Sequence, residues 1–116
     1  MAIVAPMSGV PYALQNAQTT GNGDVVTPPP SFRNHTITIF AASGTSSGAI
    51  QVETADDPAF TGTWIAQGTP ITVVASAEVG TTLSGIFTAI RARISTTIAG
   101  GGSPSATVKY LGAKSY

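Results

Sequence analysis

The stretch 85-GIFTAIRARIS-95 alternates from its middle onward: Ile90, Ala92 and Ile94 stand two apart, and Arg91 and Arg93 fill the gaps. Successive side chains of a strand point to opposite faces, so this pattern makes one apolar face and one basic face. The segment 35-HTITIFA-41 repeats it, with Ile37, Ile39 and Ala41 on one side and Thr36, Thr38 and Phe40 on the other. Ala49 to Thr54 does so again, with Ile50 and Val52 inward and Gln51 and Glu53 outward. These last two strands look like a hairpin closed by the loop 43-SGTSSG-48.

Working outward from these strands, no window repeats apolar residues at i, i+3, i+4 and i+7 over three turns. Strong helix formers are scarce, with two Lys, two Glu and three Leu in the chain. Thr, Val and Ile favour strands, and Gly and Pro punctuate at short intervals, as in sandwiches and barrels. Further strands are expected at Tyr12 to Gln18, Asp24 to Thr27, Thr63 to Ala66, Pro70 to Ala75 and Ala106 to Leu111. The apolar run in Pro70 to Ala75 predicts burial on both sides. Pro28 to Pro30 makes a stiff extended connector. Met1 to Pro11, broken by Pro6, Gly9 and Pro11, reads as an extended non-helical arm that is free in isolation and ordered by a partner.

Composition narrows the function classes. The chain has 116 residues, which suits one domain, and no cysteine, which removes disulfides, thiolate metal sites and thiol nucleophiles. Net charge is zero and 9% of residues are charged, so no basic patch can neutralise many phosphates. Nucleic acid and acidic membrane surfaces are therefore not expected as partners. The start lacks the basic and apolar regions of a cleaved signal, and no run approaches the roughly 18 apolar residues of a membrane span. Soluble domains usually carry about 25% charge. A surface of Thr, Ser, Gln, Asn, Gly and Ala is easy to desolvate, which fits a protein whose faces are buried in an assembly.

The ordered segments 14-LQNAQTTGNGD-24, 34-NHTITIFAAS-43, 48-GAIQVETADDPAFTGTW-64 and 90-IRARIS-95 resemble a recurrent small β-sandwich of tailed-phage virions. The resemblance spans Leu14 to Leu111. It implies a virion structural component without catalysis: a capsid decoration or cement protein, or a head or tail fibre-type or accessory domain. It also implies the major capsid protein or other virion proteins as partners, and a homo-oligomer, with the trimer the commonest form. The acidic turn Ala55-Asp56-Asp57-Pro58-Ala59-Phe60, with its proline, departs from the family pattern.

Asp56 and Asp57 are the conspicuous acids. A general acid–base pair needs two carboxylates facing one substrate, whereas Asp-Asp-Pro is turn chemistry in its own right. Calcium wants six to eight oxygens, of which Glu53, Asp56, Asp57 and nearby carbonyls would supply part. Trp64, Phe60 and Tyr12 read as core or interface aromatics, with sugar stacking on Trp64 as the alternative. His35 is the only histidine and reads as a surface or strand-start residue. Arg91 and Arg93 share a strand face about 6–7 Å apart; such a stripe suits a phosphate or carboxylate, but in so lightly charged a chain the expectation is pairing with Glu53, Asp56, Asp57 or Glu78, in this chain or in a neighbouring subunit. The Gly-rich tip 100-GGG-102 lacks the Lys-Ser/Thr of a phosphate loop.

The expected fold is all-β: a single antiparallel β-sandwich, jelly-roll-like, of seven or eight strands over residues 12–116, preceded by the arm 1–11. No catalytic residue, cofactor or metal is assigned. The interface candidates are Tyr12, Phe60, Trp64, Arg91, Arg93, Asp56 and Asp57. The expected location is the virion, at the capsid surface or tail, after synthesis in the host cytoplasm.

Overall fold

The structure is a computed structural model and describes residues 2–114. Ten strands form two packed sheets. They are β1 (Ile3–Val4), β2 (Tyr12–Gln18), β3 (Val25–Val26), β4 (Phe32–Ala41), β5 (Thr45–Ala55), β6 (Ile65–Ala66), β7 (Ile71–Thr72), β8 (Glu78–Ser84), β9 (Ala89–Gly100) and β10 (Ala106–Lys114). One sheet runs β1-β3-β9-β5-β6, with β7 also on β5; the other runs β2-β10-β4-β8. The pairs β2–β10, β3–β9, β4–β8 and β5 with β6 and β7 nest inside one another. The chain is thus one long two-stranded ribbon, folded at residues 56–64 and rolled so that its halves alternate between sheets. That is jelly-roll topology.

The alternating residues build the core. Ile37, Ile39, Ile50, Val52, Ile90, Ala92, Val108 and Tyr110 are buried between the sheets, joined by Leu14, Val26 and Ile98. Phe40 lies outside, as its place in the alternation predicts.

Several expectations change. β4 and β5 are not a hairpin: they lie in different sheets, and β4 pairs with β8 and β10. The connection between them is only residues 42–44, with Gly44 at φ 89°, and it carries the chain from one layer to the other. A Cβ on Gly44 would sit 2.6 Å from the Gly101 carbonyl oxygen, so glycine is required there by space as well as by φ. The count of ten exceeds the expected seven or eight. β1 and β8 are the two additions, while the two strands expected at 63–66 and 70–75 are present, shortened, as β6 and β7. Residues 85–88 fall outside β9. In 70–75 Ile71 and Thr72 pair with β5 and Ala75 makes an isolated parallel bridge to Ala41, and Val74 is exposed while Val73 is buried, so the run is not buried on both sides.

One pair is parallel. Ile3 and Val4 lie beside Val25 and Val26, and the Gly9 N–H donates to the Gly112 carbonyl at 2.9 Å. The arm thus lies along the sandwich, with Pro6 buried. The ordering groups that a partner was expected to supply are found in this chain.

Candidate functional site

The outer face of the six-stranded sheet gathers most of the chain's buried charge. β5 and β9 pair so that Glu53 faces Arg91 and Gln51 faces Arg93. The Arg91 Nε donates to Glu53 Oε1 at 2.9 Å, and the Arg93 Nε to Oε2 at 3.1 Å. Side-chain exposure is 7% for Glu53 and 11% for Arg91, against 38% for Arg93. Gln51 and Glu53 point away from the core, as the alternation predicts, but a second cover lies over them and shields them from solvent. Gln67 bonds the Val52 carbonyl through its N–H and Thr54 through its side chain, and the Gln51 amide reaches the carbonyls of Val52, Gln67 and Gly68.

Trp64 completes this cover. It is 4% exposed and packs with Val25, Ala55 and Ala89 in a small second core on the outer side of the sheet. Its indole N–H donates to the Phe60 carbonyl at 3.0 Å, and the Arg91 guanidinium carbon lies 4.3 Å from the ring centroid. Stacking and the Glu53 carboxylate hold Arg91 together. A buried indole with a guanidinium across its face offers no platform for a sugar.

The acidic turn is separate from this cluster. The Asp57 carboxylate accepts the Ala59 N–H at 2.9 Å, and the Phe60 N–H donates to the Asp57 carbonyl, so Asp57 braces its own turn. Arg91 and Arg93 meet Glu53 and not Asp56, Asp57 or Glu78. With both Glu53 oxygens taken, Glu53 is lost to any calcium shell. Among the described residues no three His, Asp or Glu side chains gather as metal ligands. Phe60 and Ile65 are exposed and flank a cleft of about 240 Å³ lined also by Thr54, Asp56, Asp57 and Thr63.

The Tyr12 hydroxyl donates to Asp24, which also accepts the Ala2 N–H. Desolvation, and then the Asp24 carboxylate, push the Tyr12 phenol above its ordinary value. Tyr12 thereby ties β2 to the turn before β3. His35 corrects a further expectation: it is buried, not a surface residue. Its Nε2 lies 2.9 Å from the Gly85 carbonyl, which only accepts, so Nε2 carries the proton and Nδ1 accepts from the Tyr110 hydroxyl at 2.6 Å. Burial pushes the Tyr110 phenol far up. The pair is a satisfied polar link inside the core.

The two edges of the four-stranded sheet are unlike. β2 pairs with β10 through two register shifts, and Ala17 sits at φ 51°. β2 and the loop after it are stitched to β9 in the facing sheet, through Ile94 N–H to Gly21, Ile98 N–H to Thr19 and the Gln15 side chain to the Ala92 carbonyl. β8 pairs with β4 without a shift over seven residues. Among the described residues β4 is the only strand beside it.

The burial of Gln51 and Glu53 had no local signal, because alternation gives the face and says nothing of what covers it. The β5–β9 register that joins Glu53 to Arg91 spans 38 positions of chain. No protein-family model, curated protein or solved structure matches the chain.

Proposed function

We propose that the protein is a structural component of a tailed-phage virion, acting as a decoration or cement protein that binds and stabilises the capsid surface. The observation that carries the reading is the outer face of the four-stranded sheet. Thr36, Thr38, Thr82 and Thr107 line it, Phe40 and Leu111 stand exposed on it, and Lys109 and Glu78 are its charges. Such a face gives up little hydration when buried and adds apolar contact on doing so. Many symmetric copies, each with a modest contact, hold a lattice tightly. The ordered motifs that resemble virion sandwiches support the same reading, with the major capsid protein as partner and a homo-oligomer as the bound form.

The test is co-sedimentation with bare capsids of the phage that encodes the chain. Binding that saturates at a fixed ratio to capsid protein, and that Phe40→Glu with Leu111→Glu abolishes, is the expected result. Free protein staying in the supernatant at tens of micromolar defeats the proposal.

A second reading, a fibre or tail accessory domain that binds host glycan or another virion protein, draws on the exposed Phe60 and Ile65 beside the acidic turn. Trp64 takes no part in it. A glycan array on which Phe60→Ala erases all signal would favour this reading over the first.

A further inference from the structure

We propose that β8 is a self-pairing edge: two copies of this chain join antiparallel along Glu78–Ser84, around a two-fold axis at Thr81, into one continuous eight-stranded sheet. The contact does not depend on the virion reading, since such a dimer forms with or without a capsid.

Edge strands present a row of unpaired backbone groups, and natural sheets blunt them with proline, lysine, bulges or short length. β2 is blunted by its shifts, its left-handed residue and its stitched loop. β8 has none of these devices: its sequence EVGTTLS holds no Pro or Lys, and its register is unbroken over seven residues.

The residues of β8 fit a copy of themselves. Centring the pair on Thr81 places Val79 opposite Leu83, Gly80 opposite Thr82 and Glu78 opposite Ser84. Directly opposed residues share a face in an antiparallel pair. Val79, Thr81 and Leu83 then fall together on the inner side, where Val79 and Leu83 already pack on the core while only partly buried. The partner's Leu83 and Val79 complete that burial. On the outer side, Thr82 of one copy meets the groove beside Gly80 of the other, lined by Thr36 and Thr38. The strand's one acid never meets its own copy: the two Glu78 residues stand six positions apart, about 20 Å on strand geometry. A two-fold, self-complementary contact is the commonest way for a soluble chain to associate.

Single-cysteine variants read the register cleanly, because the chain has no cysteine. Mild oxidation of Thr81→Cys is expected to give a covalent dimer, since opposed Cα atoms fall within disulfide reach, and Ser84→Cys is expected to give none. Sedimentation of the unmodified protein should show mass rising with concentration from 11.6 kDa towards two chains. Thr82→Glu, which sets an acid diagonal to the partner's Glu78 twice over, should weaken the dimer roughly fivefold, and Thr82→Lys should tighten it by a similar factor. A mass of one chain at millimolar concentration, a trimer, or cross-linking at Ser84 in place of Thr81 each overturns the proposal. Circular dichroism of the variants establishes that each is folded before its association is read.

Discussion

On the outer face of the six-stranded sheet, Gln51, Glu53 and Arg91 are nearly sealed from water. On the outer face of the four-stranded sheet, Phe40, Lys109 and Leu111 stand open to it. Both rows alternate with core residues in the same way. The difference comes from the ribbon's fold: residues 56–68 turn back over β5 and β9, and among the described residues nothing comparable crosses β4 and β10. A strand's outward side is thus not a solvent side until the rest of the chain has been placed. The covered face spends the chain's scarce charge on internal order, and the bare face is left almost neutral.

Removing Glu53 should break the comparison most. Glu53→Ala leaves Arg91 buried without its counter-charge and should cost about 3–5 kcal/mol, read from the shift of a urea unfolding midpoint. Glu53→Gln, which keeps an acceptor for Arg91, should cost less. An equal loss for the two would mean that the carboxylate charge, and not the packing of the side chain, holds the cover down.

The layer between the faces gives the next effect. Tyr110→Phe removes the donor to His35 Nδ1 and leaves that buried atom unpaired, for about 1–3 kcal/mol near neutral pH. The phenol also sets a pH limit. Its folded-state pKa is raised by burial, so folding favours the protonated form. The stability it contributes is complete below the unfolded value of about 10 and is lost as pH rises beyond that. Thermal unfolding followed from pH 8 to 11 should show a steeper alkaline decline in the native chain than in Tyr110→Phe.

Asp57→Ala removes the acceptor for the Ala59 N–H in the exposed turn and should cost about 1 kcal/mol by the same urea assay. Phe40→Thr on the bare face should change stability by under about 0.5 kcal/mol. A loss of 2 kcal/mol there would show that this face is not free in the isolated chain.

How much of this was legible in the sequence follows from the range of each interaction. Alternation in 36–41 and 90–94 assigned the inward residues correctly, because strand periodicity acts over two positions. β8 escaped notice because EVGTTLS has few large apolar residues and a glycine in its middle, so its pairing with β4 provides what its own pattern lacks. The hairpin expected between β4 and β5 failed for a related reason. Adjacent alternating strands with a Gly-Ser loop fit a hairpin and a jelly-roll crossover equally well, and only the partners β8, β9 and β10 separate the two. The burial of His35, expected at the surface or a strand start, has no local signal because its hydrogen-bonding partners, Gly85 and Tyr110, lie 50 and 75 positions away.

By itself the sequence determined that this chain is an all-β sandwich without thiol chemistry and without a large field of charge. Those properties follow from composition and from a two-residue period. Only the tertiary structure decided that Trp64 is sealed, that Arg91 and Arg93 turn to Glu53 and leave Asp56 and Asp57 to their own turn, and that β8 remains an open edge. Each of these depends on which distant strands become neighbours, and that is fixed when the two sheets bury their apolar faces against each other.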